Sequence, residues 1–254
     1  MIHLEALPGT PKYNGNMQQI LDKARKELEI YIKHGIDAVL IENMHDIPYV
    51  QSKHFQPETV AVMSRICTDI KYFLPPSIPC GVQVLACGNK EALAIAKACN
   101  LDFIRVEGFV FSHIADEGFS DASAGILLRY RKQIDAEHVL LFTDVKKKHS
   151  SHSITADVSL VETAKAAEFF LSDGIILTGT ATGVAADLQE LKSLKDNTKM
   201  PVLIGSGITL KNFKYYKDAD ALIIGSYFKK AGLWSNDVDE TIVMEFMNKA
   251  REFR

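Results

Sequence analysis

The segments GIILTGTATG (residues 174–183), VLIGSGIT (202–209) and ALIIGS (221–226) share one pattern. Each begins with a short aliphatic run and then turns at a glycine flanked by Ser or Thr. Such a run, bounded by turn residues, predicts a buried strand followed by a tight loop. Helical spacing fills the stretches between the segments. The pattern therefore predicts a repeated strand–helix unit and a parallel sheet.

The same alternation extends over the whole chain. The predicted strands are Ile2–Leu4, Ala38–Glu42, Gly81–Leu85, Phe103–Glu107, Val139–Val145, Gly174–Leu177, Val202–Ile204 and Ala221–Ile224. The predicted helices are Met17–Lys33, Pro57–Phe73, Lys90–Ala98, Ala122–Ile134, Val158–Phe170, Leu188–Leu194, Leu210–Tyr216 and Val238–Phe253. Eight such units in 254 residues predict a single α/β domain over residues 1–254, a parallel eight-stranded (β/α)8 TIM barrel. An open Rossmann-type sheet is the alternative, but the first strand–helix junction lacks G-x-G-x-x-G.

The composition is that of an ordinary globular chain. Hydrophobic residues make up 47% of the chain and charged residues 24%, which suffices for a sizeable core. A net charge of −3 and a pI near 6.2 give no reason to expect nucleic acid as a partner. No apolar run approaches the ~20 residues that span a bilayer. We therefore expect neither a nucleic-acid nor a membrane partner.

The cysteines favour a reducing compartment. Cys67, Cys80, Cys87 and Cys99 form no C-x-x-C pair, and several lie in apolar stretches, as small buried hydrophobes do. We expect a cytoplasmic protein. Because the chain opens almost directly on a strand, a mitochondrial location is the alternative if a targeting segment has been lost.

Polar residues cluster at the ends of the predicted strands, at positions of one parity. Alternate residues of a barrel strand point inward and outward, and the helix-facing layer must be apolar. The inward ring at the carboxyl end of the barrel is therefore predicted to contain His3, Glu5, Glu42, Gln83, Arg105, Glu107 and Asp144. Barrel enzymes carry their active sites at that end. A buried ion-pair layer is the structural alternative.

Within this ring, Glu42 and Asp144 are the leading general acid–base candidates, and Glu107 is a third carboxylate. Arg105 and Lys148 are predicted to stabilise negative charge that develops during a reaction. Lys148 belongs to the run Lys146–His149, in which at least one lysine is expected to be solvated. A Schiff-base lysine is less favoured, because such a lysine usually needs an apolar pocket.

The glycine-rich turns after the last three strands predict a phosphate site. Glycine allows backbone N–H groups to approach an anion closely, and Ser and Thr add hydroxyl donors. The helix predicted at 210–216 would present its N-terminus to the same anion. Ordinary tight turns would show a similar pattern. The predicted substrate and phosphate ligands are His3, Gln83, Thr178, Gly179, Thr182, Gly183, Gly205, Ser206, Gly207, Gly225 and Ser226.

No cofactor is expected. Asp144 with His149 and His152 offers metal-binding side chains, but their spacing matches no strong metal signature. A metal-dependent hydrolase using Asp144, His149 and Glu42 is one alternative function.

The motifs together resemble the BtpA (BtpA/SgcQ) family. The opening His3–Pro11 resembles its H-x-x-x-L-P-G-[ST]-P start. Matching segments continue along nearly the whole chain: Ile41–Asn43, Asp46–Tyr49, Gly81–Leu85, Phe103–Val106, Asp144-Val145, Lys148-His149, Leu177–Gly179, Thr182-Gly183 and Gly205–Gly207. Two positions depart from the family pattern. Gln83 stands where Asn is expected, and Glu107-Gly108 stands where Asn-Val is expected. Both should line the pocket, so we expect substrate and charge requirements that differ from those of other members.

The resemblance implies a TIM barrel related to the ribulose-phosphate-binding barrels. The family is named for photosystem I biogenesis, and some members carry enzyme labels such as nucleosidase. We therefore expect an enzyme that acts on a small phosphorylated metabolite, a sugar phosphate or a nucleotide-derived compound, by isomerisation, lysis or glycosidic-bond cleavage. A non-catalytic assembly factor is the alternative, with the segment Phe228–Trp234 as its candidate apolar surface. Pairing of copies is left open.

Overall fold

A parallel sheet forms the framework of the chain. The computed structural model describes residues 1–253. Within them, eight strands pair in the order β1-β2-β3-β4-β7-β9-β10-β11. Their bounds are β1 Ile2–His3, β2 Val39–Glu42, β3 Cys80–Gln83, β4 Phe103–Val106, β7 Leu140–Val145, β9 Gly174–Leu177, β10 Val202–Ile204 and β11 Ala221–Leu222. Each strand falls on a predicted one, and neighbouring strands in this order follow one another along the chain.

Contacts divide the chain into two compact units. The first comprises Met1–Arg105 and Ile126–Leu140, and the second comprises Val106–Gly125 and the described chain from Leu141. The single domain over residues 1–254 stays a prediction. None of the helices in residues 1–253 is long and apolar enough to cross a membrane.

In the first unit, two long helices follow the predicted bounds. Helix α1 (Met17–Lys33) begins at Asn16, whose side chain accepts the N–H of Gln19. Helix α2 (Pro57–Phe73) begins with proline, which lacks the N–H that the first turn leaves unpaired. Helix α3 spans Asn89–Ala98. The apolar stripes of these helices bury Leu28 and Ile66, which is the burial that stabilises helices against a sheet.

The second unit repeats the plan with well-capped helices. Helix α5 (Leu160–Phe169) begins in a capping box, in which Ser159 and Glu162 each accept the other's backbone N–H. Asp187 caps the N-terminus of helix α6 (Leu188–Asn197), and Asp239 caps the N-terminus of helix α7 (Glu240–Arg251). Each carboxylate accepts two backbone N–H groups of the first turn. Helix α4 (Ala124–Gln133) has its first two residues in the second unit and the others in the first.

A large side chain fills the space over a glycine in each unit. A Cβ at Gly81 would lie 2.3 Å from the ring of Phe103, and one at Gly174 would lie 2.8 Å from the ring of Phe142. Gly81 and Phe103 are register partners on β3 and β4, and Gly174 and Phe142 are partners on β9 and β7. Close packing of large residues against small ones fills the interior without cavities.

The long connections that follow β4 and β7 form a small antiparallel sheet in the second unit. Strands β5 (His113–Ala115) and β6 (Gly118–Ser120) make a hairpin, and β8 (Ser150–Ser151) pairs with β5 on the other side. Loops with structure of their own at this end of an α/β fold are commonly functional.

The helix predicted at Leu210–Tyr216 was wrong in type and extent. Only a 3₁₀ turn, Phe213–Tyr216, forms there. Asn212 explains the difference, because its side chain accepts the N–H of Thr209 and donates to the carbonyl of Gly207. Such side-chain bonds offer the backbone a turn in place of a helix.

The segment Phe228–Trp234 does not form an apolar surface patch. Phe228 is buried, with its ring 5.4 Å from that of Phe246 on α7. Trp234 is half-buried, and Leu233 is the exposed apolar residue of the segment.

A buried latch holds the start of the first unit. The Asp46 carboxylate accepts the N–H of Leu7 at 2.8 Å and the side-chain amide of Asn43 at 2.8 Å. Asn43 in turn accepts the N–H of Leu85 at 2.7 Å. Burial raises the pKa of Asp46, and these two donors oppose that rise. The latch fixes the ends of three chain segments with hydrogen bonds that water cannot replace.

We predict that Asp46→Ala destabilises the fold by about 3 kcal/mol, because it leaves two buried donors unpaired. The measurement is the urea midpoint of unfolding. Asp218→Ala, at an exposed position, is the matched control and should change stability by less than about 0.5 kcal/mol. Equal effects of the two substitutions would contradict the latch.

Candidate functional site

The polar residues predicted for β1 to β3 share one face in the first unit. Register pairs His3 with Glu42 and Glu42 with Gln83, and paired residues of parallel strands point to the same side. His3 Nε2 lies 3.7 Å from Glu42 Oε2. All three residues are buried. Gln83 Oε1 accepts no hydrogen bond from any residue in the described range 1–253.

Arg105 is also buried in the first unit. Val82 and Ile104 are register partners, so Gln83 and Arg105, the next residues on β3 and β4, lie side by side. Glu5 is the exception to the predicted ring. Its carboxylate accepts hydrogen bonds from Lys23 and Gln19 on α1 at 3.0 and 3.1 Å.

In the second unit, Glu107 and Asp144 are both buried. Glu107 Oε1 lies 3.4 Å from the ammonium of Lys147. Lys147 is buried, while its neighbour Lys148, the predicted cation, is half-buried. The sequence indicated the run of lysines but did not identify Lys147 as the buried one. Lys146 Nζ donates to the carbonyl of Thr155 at 2.9 Å.

Asp144, Lys146 and Lys147 line a cleft in the second unit, with about 290 Å³ of space that includes open solvent. Asp144 and Lys147 lie on one side, and His113 and His152 lie on the small sheet and the turn that follows it. The imidazole centroids of His113 and His152 are 5.6 Å apart. His152 Nε2 donates to the carbonyl of Lys147 at 2.9 Å. Neither His113 nor His152 was among the predicted substrate ligands. The prediction used the inward and outward alternation of side chains along strands, which does not apply to residues of predicted loops.

His113 is neutral in this setting. Burial, followed by the positive charge of Lys147 and the charge of His152, lowers the pKa of His113 to about 4. Burial disfavours the charged imidazole, and the ammonium adds repulsion.

Two of the predicted phosphate ligands serve to tie loops together. The Ser206 hydroxyl accepts the N–H of Gly179 at 2.7 Å and donates to the carbonyl of Val184 at 2.8 Å. A Cβ at Gly207 would lie 2.2 Å from the backbone N of Ala185, so only glycine allows this contact. The loop after β9 thus packs directly on the loop after β10.

One further donor in these loops, the hydroxyl of Thr178, has no hydrogen-bond partner among residues 1–253. Thr178 Oγ1 is buried, an arrangement that is costly unless a partner binds. By contrast, the N–H of Gly205 donates to the carbonyl of Leu177 at 2.8 Å.

His149 joins the loop after β7 to the loop after β9. The imidazole Nε2 of His149 accepts the backbone N–H of Thr182 at 3.1 Å. The backbone N–H of His149 donates to the carbonyl of Thr180 at 3.3 Å. Burial, followed by the charge of Lys148, lowers the pKa of His149. Gly183, next to Thr182, has φ +81° with open space around its Cα.

Asp144 and Thr178 share one face of the sheet. Asp144 is the register partner of Ile176, and Thr178 lies two residues beyond Ile176. Asp144, the predicted acid–base residue, and Thr178 therefore lie on the same face of adjacent strands, offset by two residues along the strand.

Among residues 1–253, no three His, Cys, Asp or Glu side chains converge as a metal site would require.

The family model described as the BtpA family matches residues 1–252. The chain belongs to the BtpA family. It is 49% identical over 250 residues to an uncharacterised mitochondrial protein of Caenorhabditis elegans, covering 97% of this chain and 90% of that relative. It is 30% identical over 254 residues to photosystem I biogenesis protein BtpA of Synechocystis, covering 99% of this chain and 87% of that relative.

Solved structures show the fold. Thiamine phosphate pyrophosphorylase from Pyrococcus furiosus matches with a TM-score of 0.58 at 14% identity, over 90% of this chain and 89% of that chain. Phosphoribosyl anthranilate isomerase from Thermus thermophilus matches with a TM-score of 0.57 at 12% identity, over 90% and 94%. The predicted TIM-barrel fold class and the predicted family are both confirmed.

We predict that His113 makes the protein less stable in mild acid. Its folded pKa of about 4 lies below the ordinary 6.5, so between these pH values the unfolded chain binds a proton that the folded chain does not. Stability contributed by the neutral ring is present above pH 6.5 and is lost as pH falls. From pH 7.5 to 5 the loss should be about 2 kcal/mol.

The measurement compares the urea midpoints of wild type and His113→Gln at both pH values. The variant lacks the titrating ring and should lose about 2 kcal/mol less than wild type on acidification. Parallel losses would contradict the buried neutral state.

Proposed function

We propose that the second unit binds a small phosphorylated metabolite on the loops after β9, β10 and β11 and acts on it by acid–base catalysis. The observation that carries the proposal is the buried hydroxyl of Thr178, which has no hydrogen-bond partner among residues 1–253. Backbone N–H groups and hydroxyls converging at strand ends are the donors that phosphate sites use.

The anion site is built by three adjacent strand ends. Leu177 pairs with Ile204, and Ile204 pairs with Leu222. The loops that follow therefore begin side by side and supply the Thr178 hydroxyl and the N–H groups of Gly207 and Gly225. The tie through Ser206 and Gly179 holds two of these loops in place before a ligand arrives. A site that is already ordered loses little entropy on binding.

Asp144 is the proposed general acid–base, since its carboxylate lines the cleft on the face that Thr178 shares. The Lys147 ammonium, held by Glu107, is the proposed group that stabilises developing negative charge. It takes the role that the sequence assigned to Lys148. We base the proposal on the second unit alone, and the roles of His3, Glu42, Gln83 and Arg105 stay predictions.

The names of the structural relatives agree with this chemistry. A thiamine phosphate pyrophosphorylase and a phosphoribosyl anthranilate isomerase are enzymes whose names contain phosphorylated small molecules. Which reaction this chain performs is left to the measurement, because one barrel supports many chemistries.

We predict that Thr178→Val weakens phosphate binding without weakening the fold. The substitution keeps the side-chain shape and removes a buried hydroxyl that has no partner, so the free protein should be as stable as wild type or slightly more stable. A ligand at ~100 times its Kd should raise the wild-type Tm by about 5–10 °C. The variant should show less than half of that shift.

The assay is a thermal-shift screen with inorganic phosphate, sugar phosphates and nucleotides. Thr68→Val, whose hydroxyl contacts Cys99 in the first unit, is the matched control and should keep the full shift. A wild-type protein with no shift across the panel would contradict the phosphate site. A substitution at Gly207 such as Gly207→Asp does not serve as a test of binding, because the new Cβ would lie 2.2 Å from the backbone N of Ala185 and disturb the fold.

We predict that Asp144→Asn lowers kcat about 10²–10⁴-fold on whichever phosphorylated compound wild type turns over, while ligand shifts persist. Asp157→Asn, at an exposed position of the same connection, is the control and should leave kcat unchanged. Turnover by Asp144→Asn at the wild-type rate would remove Asp144 from the mechanism.

The name of the Synechocystis relative, a photosystem I biogenesis protein, favours assembly as a second candidate function. It predicts a stable protein partner whose binding survives Thr178→Val and Asp144→Asn. Recovery of that partner by affinity purification, together with silence in the ligand screen, would select this function.

For the compartment, we propose a reducing one. The four cysteines are free, and burial raises the pKa of Cys67, Cys80 and Cys99. The C. elegans relative is described as mitochondrial, which supports the mitochondrial matrix beside the cytoplasm.

A further inference from the structure

We propose that His113 is a specificity-determining residue that accepts a hydrogen bond from a hydroxyl of the substrate, so that the substrate is a sugar phosphate. This inference rests on the proposed function, since it concerns the part of the same ligand that lies beyond the phosphate.

The His113 side chain lines the cleft and carries an unused polar atom. The residue is 3% exposed, and its Nε2 has no hydrogen-bond partner among residues 1–253. A buried polar atom without a partner costs about 1–3 kcal/mol. A fold retains such an atom most readily where a ligand supplies the missing partner.

The small sheet holds this side chain in position. His113 is the register partner of Ser120 on β6, and its strand β5 also pairs with β8. The ring packs beside His152, whose own Nε2 is occupied by the carbonyl of Lys147. The imidazole therefore meets a ligand from a fixed element rather than from a free loop, as a recognition residue should.

The charges around His113 select a neutral group. The Lys147 side chain lines the same cleft, but Glu107 already pairs with its ammonium, and the ring itself stays neutral. The neutral ring carries one proton, the Phe111 backbone is a hydrogen-bond partner of the ring, and Nε2 has no partner among residues 1–253. We therefore assign the proton to Nδ1, which leaves Nε2 as an acceptor. A second phosphate or a carboxylate has no hydrogen to donate to Nε2, whereas a hydroxyl can donate its hydrogen to this acceptor.

The cleft suits a hydroxylated chain better than a nucleobase. Val110 and Phe111 are its apolar side chains, and Asp144, Lys147, Thr155 and Thr163 are polar ones. A planar base needs stacking surface on its faces, while a sugar needs hydrogen-bond partners along its length. A site with buried polar groups discriminates strongly against ligands that leave those groups unpaired.

The test measures Kd by calorimetry for ethyl phosphate, which has no hydroxyl, and for aldose and ketose phosphates of three to six carbons. Wild type should bind at least one sugar phosphate ~10-fold or more tightly than ethyl phosphate, which corresponds to one well-placed hydrogen bond. His113→Phe should reduce this ratio to about threefold or less, with the Kd for ethyl phosphate unchanged. His113→Gln, whose amide oxygen replaces Nε2 as acceptor, should recover part of the ratio.

His54→Phe, at an exposed position of the first unit, is the control and should keep the wild-type ratio. His113→Met replaces His113→Phe if the latter does not fold. A folded His113→Phe or His113→Met variant that keeps the full ratio overturns the inference. Binding of ethyl phosphate without preference for any sugar phosphate overturns the inference alone, and absence of binding by both ligand classes overturns the proposed function with it.

Discussion

The parallel register of the strands is the constraint on which the rest of the structure depends. Because paired residues of parallel strands point to one side, fixing His3 opposite Glu42 also fixes Gln83 on the same face, and fixing Asp144 opposite Ile176 places Thr178 beside it. A slip of one residue would turn every one of these polar groups toward the helices. The glycine–phenylalanine contacts at Gly81 and Gly174 oppose such a slip, since each ring fits only over a position without a side chain.

The loops are ordered by contacts that belong to the protein rather than to a ligand. Ser206 joins the two loops after β9 and β10, and His149 joins the loop after β7 to the first of them. Each link satisfies a backbone donor that would otherwise be unpaired. The buried Thr178 hydroxyl, which has no hydrogen-bond partner among residues 1–253, is therefore presented in a defined position. Rigid support around a few open donors is the arrangement that binding sites require.

Much of the fold could be predicted from the sequence, because strand and helix periods are local signals. Helices α1 and α2 have the predicted bounds, and the strand parity correctly predicted burial of Glu42, Arg105 and Asp144. What the sequence did not reveal depends on contacts between distant residues. The side chain of Asn212 replaced a predicted helix with a turn, Ser206 joins two loops, and Lys147 is buried whereas Lys148 is half-buried. His113 lies on a strand formed by a long loop, which periodicity alone does not reveal.

The Asp46 latch changes what the family signature means. The L-P-G segment at Leu7 and the N-x-x-D segment at Asn43 are bound to each other, so their side chains serve the architecture of the first unit. Chains selected by these two segments share an inherited scaffold, and their reactions are free to diverge. Within the family, the residues that distinguish one chemistry from another are therefore to be sought at positions where this chain departs from the family pattern, such as Gln83 and Glu107, and not in the segments by which members are recognised.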